Sequence, residues 1–164
     1  MTIRISTLAL VATIVTASAL VFTAFSPARL QAAETDDGIV KVKSVYAVDE
    51  TVERLKADIE KKGIKFFMTV DQSKLGSDAG IELRPSKLLI FGNPPLGIQF
   101  LTANPNAGLD WPVRLLVNQD ESGQVWALYI DFAWIARRHH ITNRDAQFKM
   151  ASEVISSITS SVMK

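Results

Sequence analysis

The sequence predicts an α+β domain, one mostly antiparallel sheet with helices packed on a face. Three observations carry this. Short stretches such as GIVKVKSVYAV alternate apolar and polar side chains, as half-buried strands do. In VRLLVNQDESGQVWALYI, two runs rich in β-branched or aromatic residues flank Asp120 to Gly123, which reads as a hairpin. Two longer segments carry apolar residues at helical spacing. The element order, β-α-β-(α)-β-loop-β-β-α-α, lacks the steady strand-helix alternation of a doubly wound sheet.

The first thirty-odd residues differ from the rest. Arg4 is the only charge ahead of the apolar run from Leu8 to Phe25, and that pattern reads as a secretory signal. At 18 residues the run also reaches the lower limit of a bilayer span, so an uncleaved inner-membrane anchor facing the periplasm is the alternative. Small Ala32 before the polar ETDDG favours cleavage ahead of Ala33; Ser26-Pro27-Ala28 is a poorer site because of its proline. The expected division is a signal peptide over 1–32, a short polar segment over 33–37 and a single domain over 38–164, delivered to the periplasm.

Without Arg4 and Arg29, 16 basic residues stand against 17 acidic ones, a formal charge of −1. No nucleic-acid footprint is present. A mature chain of about 130 residues suits one compact domain with a real core. The sequence has no cysteine, so packing alone must hold the domain, and thiolate metal sites and cysteine nucleophiles are excluded.

Taken in order, Ile39, Val40, Val42 and Val45 mark the first strand. In DETVERLKADIEKKG, Asp49 is the expected helix cap, Val52, Leu55 and Ile59 fall on one face, and Gly63 ends the helix. Lys61 and Lys62 suit a solvated carboxyl end rather than an anion site. KFFMTV, residues 65 to 70, is a second strand, and DQSKLGSDAG is a loop or short helical turn. Arg84-Pro85 fixes an extended entry to Lys87–Phe91, which is apolar enough for a central strand. After the hairpin, Asp131 can cap a short helix presenting Phe132 and Ile135. Thr142 or Asn143 is the expected start of the last helix, whose stripe is Phe148, Ala151, Ile155, Ile158 and Val162.

One stretch resists a purely structural reading. Phe91 to Pro112, FGNPPLGIQFLTANPNAGLDWP, places two Asn-Pro pairs and several glycines between two strands. Pro94-Pro95 can start a helical turn with Leu96, Phe100 and Leu101 packed beneath it, and Asn104-Pro105 can break it. The ordinary role of Asn93, Asn104 and Asp110 is turn chemistry with nearby backbone. A long ordered loop in a compact domain nevertheless often carries function.

Other constellations are weaker. His139 and His140 are the only histidines; adjacent on a helix they point about 100° apart and would need Asp131 and Asp145 to complete a zinc site, so no metal is expected. No G-x-S-x-G occurs, and the carboxylate pair Glu82 and Asp110 is one of many. GNPPLG lacks the Lys-Ser/Thr of a phosphate loop, and no cofactor motif is found. The basic run Arg137, Arg138, His139, His140 and Arg144 reads as a solvated helix junction.

The runs GIELRPSKLLIFGNPPLG, ANPNAGLDWPVRLLV and YIDFAWIARRH resemble the domain of unknown function 302 family across roughly Val45 to Ile141. The resemblance implies a small α+β fold with a curved sheet and a helix layer, often found as a dimer, and no established activity. Members often read Asp-His after the second strand, where this chain has Asp71-Gln72, and Tyr-Asn-Asp-Pro where it has Tyr129-Ile130-Asp131-Phe132. A role requiring the first histidine is therefore lost, while Arg138-His139 matches the family's Arg-His pair.

Two functional readings emerge. In the favoured one, an exported non-catalytic domain binds a small ligand or a protein partner through the groove under Phe91 to Pro112, with Asn93, Asp110, Tyr129 and His139 as polar contacts, and a homodimer is a further expectation. In the other, a small hydrolase or isomerase uses His139 as general base, oriented by Asp71, Asp110 or Asp131. The discriminating geometry is whether His139 lies in a cleft within hydrogen-bond reach of one of these carboxylates.

Overall fold

A computed structural model describes residues 37–164. The expected signal peptide and most of the polar segment lie outside the described residues. The strands are β1 (Ile39–Ser44), β2 (Lys65–Asp71), β3 (Ser86–Gly92), β4 (Val113–Gln119) and β5 (Val125–Ile130). The helices are α1 (Val48–Lys61), α2 (Gln72–Asp78), α3 (Pro94–Ala103), α4 (Phe132–Arg138) and α5 (Asp145–Ser160), with a 3-10 turn at Pro105–Leu109. All five strands form one sheet in the order β1-β5-β4-β3-β2, every pair antiparallel. The α+β class read from the sequence is the observed one.

The period of two along each strand divides the sheet into two unlike faces. One row of side chains, Val42, Ala127 and Val117, lies in register with its neighbours and is buried, as are Leu89 and Leu115 of the same parity. Against this face pack Leu55 and Ile59 of α1 and the stripe of α5, Phe148, Ala151, Ile155 and Ile158, with Val162 just beyond the helix. Phe148 stacks on Phe100 of α3 with ring centroids 4.2 Å apart, which ties the long connection to the last helix.

Two local expectations are corrected, at Asp49 and at the start of the last helix, and one open alternative, the segment after β2, is decided. α1 begins one residue before Asp49, and its N-cap is Ala47, which offers no side-chain bond; the Asp49 carboxylate is instead 2.6 Å from Lys87 Nζ on β3. The segment after β2 is a true helix, capped by Asp71, whose Oδ1 accepts from the Lys74 amide at 2.9 Å. α5 starts at Asp145 rather than at Thr142 or Asn143, because Ile141 to Arg144 leave the helical region after His140, a non-glycine residue with φ of 52°. The predicted hairpin and the Asp131 cap are both found: Asp131 Oδ1 accepts from the Trp134 amide at 2.7 Å.

Candidate functional site

The connection from Phe91 to Pro112 is built around Trp111. Pro94 and Pro95 occupy the first turn of α3, where missing amide hydrogens cost nothing, and Asn104 ends the helix with an extended backbone. The Asn104 side chain accepts from the Asn106 amide at 3.0 Å and donates to the His139 carbonyl at 2.8 Å. Trp111 then folds back under α3. A Cβ on Gly97 would lie 1.9 Å from the indole nitrogen, and one on Gly92 3.1 Å from it. Two of the glycines that make this stretch unusual are therefore explained by one indole lying against bare backbone.

Asp110, the residue before Trp111, is drawn inward. Its Oδ2 lies 2.6 Å from His139 Nε2, Arg138 Nη1 reaches both oxygens at 3.2 Å, and Arg114 Nη2 reaches Oδ1 at 3.1 Å. Only 2 % of the Asp110 side chain and 5 % of the His139 side chain are accessible to solvent. The two guanidiniums are about half exposed, so this is a buried carboxylate and imidazole sealed by two arginines from the outside. Arg114 also donates to the Leu109 carbonyl at 2.8 Å. The cluster closes the loop onto β4 and the end of α4.

The four predicted contacts do not converge. Asp110 and His139 meet; Asn93 is exposed at the start of α3, where its side chain makes no capping bond, and Tyr129 lies on the core face of β5 opposite Val40. Burial, aided by the Asp131 charge, pushes the Tyr129 phenol up to about 12. Of the carboxylates offered as orienters, Asp71 and Asp131 serve as helix caps and Asp110 holds the imidazole. Glu82 is exposed. His140 and Arg137 line an open groove between α4 and α5 with Asp145 and Lys149. Among the described residues no group of three or more His, Asp or Glu side chains could hold a metal ion.

The groove beneath the connection exists, but it is an apolar slot of about 40 Å³ between Phe91, Leu96, Phe100, Trp111 and Ile155, with Asn93 at its margin. Small-molecule sites generally enclose about 300–1,000 Å³. This slot is a packing defect by comparison.

The largest feature the sequence reading missed is on the other side of the sheet. Lys41, Leu128, Leu116, Leu88 and Val70 face one another across all five strands in a single cross-strand row. Leu128, Leu116, Leu88 and Val70 are half-buried and belong neither to the core cluster nor to the side chains packed against it. Ile90 lies in the next row, where it pairs with Met68, itself 52 % exposed. The signal was present in the sequence: SKLLIFG and VRLLVNQ are apolar at both parities. Such runs mark strands buried on both faces, and here the helices cover only one.

Comparison with known proteins places this architecture. The profile of the domain of unknown function DUF302 matches residues 21–160. The chain belongs to this family. A solved DUF302 structure, an uncharacterized conserved protein from Bacillus stearothermophilus, superposes with a TM-score of 0.70 over 76 % of this chain and 98 % of that one, at 16 % identity, a likeness of fold. Curated relatives are the fluoride-specific ion channels FluC 1 of Brucella suis biovar 1 (strain 1330) and FluC 2 of Brucella melitensis biotype 1 (strain ATCC 23456 / CCUG 17765 / NCTC 10094 / 16M). Each is 41 % identical over 106 residues, 65 % of this DUF302 chain. The chain spans about two fifths of their length, 42 % and 39 % respectively.

Proposed function

We propose that this DUF302 protein is an exported, non-catalytic domain that works by binding a protein partner through the uncovered face of its sheet. The observation that carries the reading is the row Leu128, Leu116, Leu88 and Val70, apolar side chains held in register on a face that no core residue shares. A contiguous, half-buried apolar row that no helix covers is the kind of surface that marks interaction sites. Export rests on the apolar run from Leu8 to Phe25, with a periplasmic destination, or an inner-membrane anchor if the run stays uncleaved.

Small-ligand binding beneath the Phe91 to Pro112 connection and catalysis at His139 are less well supported. A slot of about 40 Å³ is too small for an organic ligand. For His139 to act as general base it needs an opening that admits substrate, but imidazole and carboxylate are buried together and the carboxylate charge is shared with two arginines. The likeness to fluoride-specific channels adds a location rather than an activity. The likeness spans about two fifths of those channels' length and supports a domain that works beside a membrane protein.

Cross-linking in intact cells tests this. Reactive groups placed at Leu88 and Leu128 are expected to capture a protein, and the capture should vanish in Leu116→Lys while the circular dichroism stays unchanged. An identical set of cross-links from wild type and Leu116→Lys would sink the reading.

A further inference from the structure

We infer that the groove between α4 and α5 is a binding site for a small organic monoanion with an apolar body, a carboxylate above all, held by His140 from one wall and Lys149 from the other. The site is separate from the partner-binding face: both helices send buried residues into the core on the covered side of the sheet, and no strand residue lines the groove.

The groove is large enough for an organic ligand. Its volume is about 750 Å³, inside the range of about 300–1,000 Å³ typical of small-molecule sites, whereas the slot beside Trp111 has about 40 Å³. Its floor is apolar, with Ile141 and Phe148 buried and Ala136 half-buried. A surface of this kind suits a hydrocarbon or aromatic body.

The walls carry charge. Lys149 stands on α5 and His140 just beyond α4, and among the described residues neither side chain has a hydrogen bond or ion pair within the protein. An imidazole N–H and an ammonium are both donors, so a carboxylate set between them gains two fixed partners, one of them charged. Arg137 adds positive charge on the α4 side. Asp145, one turn before Lys149 on the same helix, is the one acid among the lining residues. It repels a second negative charge, which favours a monocarboxylate over phosphate or a dicarboxylate.

The backbone at His140 points the same way. The His140 amide donates to the Arg137 carbonyl at 3.1 Å and the Ile141 amide to the Ala136 carbonyl at 3.0 Å, a helix ending that puts the residue after the cap in the left-handed region. Glycine is the least strained residue there, yet the chain has His140 at a φ of 52°. Packing does not call for the imidazole, because His140 is exposed. Glycine would close the helix more readily and leave the groove wall bare.

The experiment uses the protein as recovered from the cells that express it, isotope-labelled and titrated with phenylbutyrate. Amide resonances of Ala136, His140, Ile141 and Lys149 should shift saturably, while those of Leu88 and Leu116 on the sheet should not. Phenylbutanol, which lacks the charge, acetate, which lacks the apolar body, and inorganic phosphate should each bind at least about tenfold more weakly. Lys149→Gln and His140→Gly should each weaken phenylbutyrate about tenfold, and His140→Gly should unfold no earlier in denaturant than wild type, since glycine relieves the left-handed residue. Leu116→Lys should bind phenylbutyrate as wild type does, so the groove and the partner-binding face are judged separately. No saturable shift, shifts confined to the sheet, equal affinity for phenylbutanol or phosphate, or wild-type affinity in both groove variants would overturn the inference.

Discussion

His139 Nε2 and Asp110 Oδ2 lie 2.6 Å apart, with both side chains almost wholly removed from solvent. A carboxylate-imidazole contact of this length is what a general base would use, yet here its surroundings make it a clasp. Asp110 belongs to the connection before β4 and His139 to the end of α4, 29 residues later. Arg138 and Arg114 bind the same carboxylate from outside, and Asn104 bonds the His139 carbonyl. Five residues from three segments thus converge on fixing the loop.

The loop's glycines should be as demanding as its charges. Gly97→Ala puts a methyl group into the Trp111 indole, which must move. Alanine is the better helix former by about 1 kcal/mol, but overpacking typically costs about 1–3 kcal/mol, so a net loss of stability is expected. Denaturant unfolding checks this, and the variant's tryptophan emission should shift as the indole is displaced. Unchanged stability with unchanged emission would mean that Trp111 does not pack against α3.

Much of this fold was legible because one-dimensional period and local chemistry specify it. The α5 stripe, the hairpin at Asp120 to Gly123 and the Asp131 cap depend on residues close in sequence, and each is found. What failed depends on partners distant in sequence. Asp49 looked like a cap, but Lys87 on β3 claims it. Asp110 looked like a turn residue or a ligand contact, and its partners are a histidine 29 residues away and an arginine 28 away. The open sheet face was hidden differently: SKLLIFG says that both sides of a strand are apolar, and nothing in its pattern says that helices cover only one of them.

The β4-β5 hairpin should respond to acid. Asp120 accepts bonds from the Ser122 hydroxyl at 2.6 Å and the Trp126 indole at 2.7 Å, and from the Gln124 and Ser122 amides, which together lower its carboxyl from 3.8 to about 2. A carboxyl depressed in the folded state stabilises above its ordinary value and loses that contribution as pH falls toward 2. Amide resonances of Ser122 and Gln124 are expected to move in that window. Asp120→Asn should abolish the shift; its persistence in the variant would assign it to another group.

At the basic end, Tyr129 titrates late. Its phenol is pushed up from 10.0 to about 12, chiefly by burial and then by the Asp131 charge. A raised value means that stability is intact below pH 10 and declines as pH climbs toward 12, because only the unfolded chain ionises readily in that interval. Ultraviolet titration should show a late phenolate step in the wild type that is absent in Tyr129→Phe. A step lost from the region near pH 10 instead would contradict the burial of Tyr129.

Denaturant unfolding of Asp110→Ala decides whether the polar residues of the Phe91 to Pro112 connection are scaffold or site. Removing the carboxylate leaves His139 buried without its partner and sets two arginines against each other. Breaking a buried charged contact from one side costs about 3–5 kcal/mol, so a loss on the order of 3 kcal/mol is expected, with a comparable fall for His139→Ala. An unfolding midpoint for Asp110→Ala within error of wild type would contradict the clasp and return Asp110 and His139 to candidacy as a functional pair.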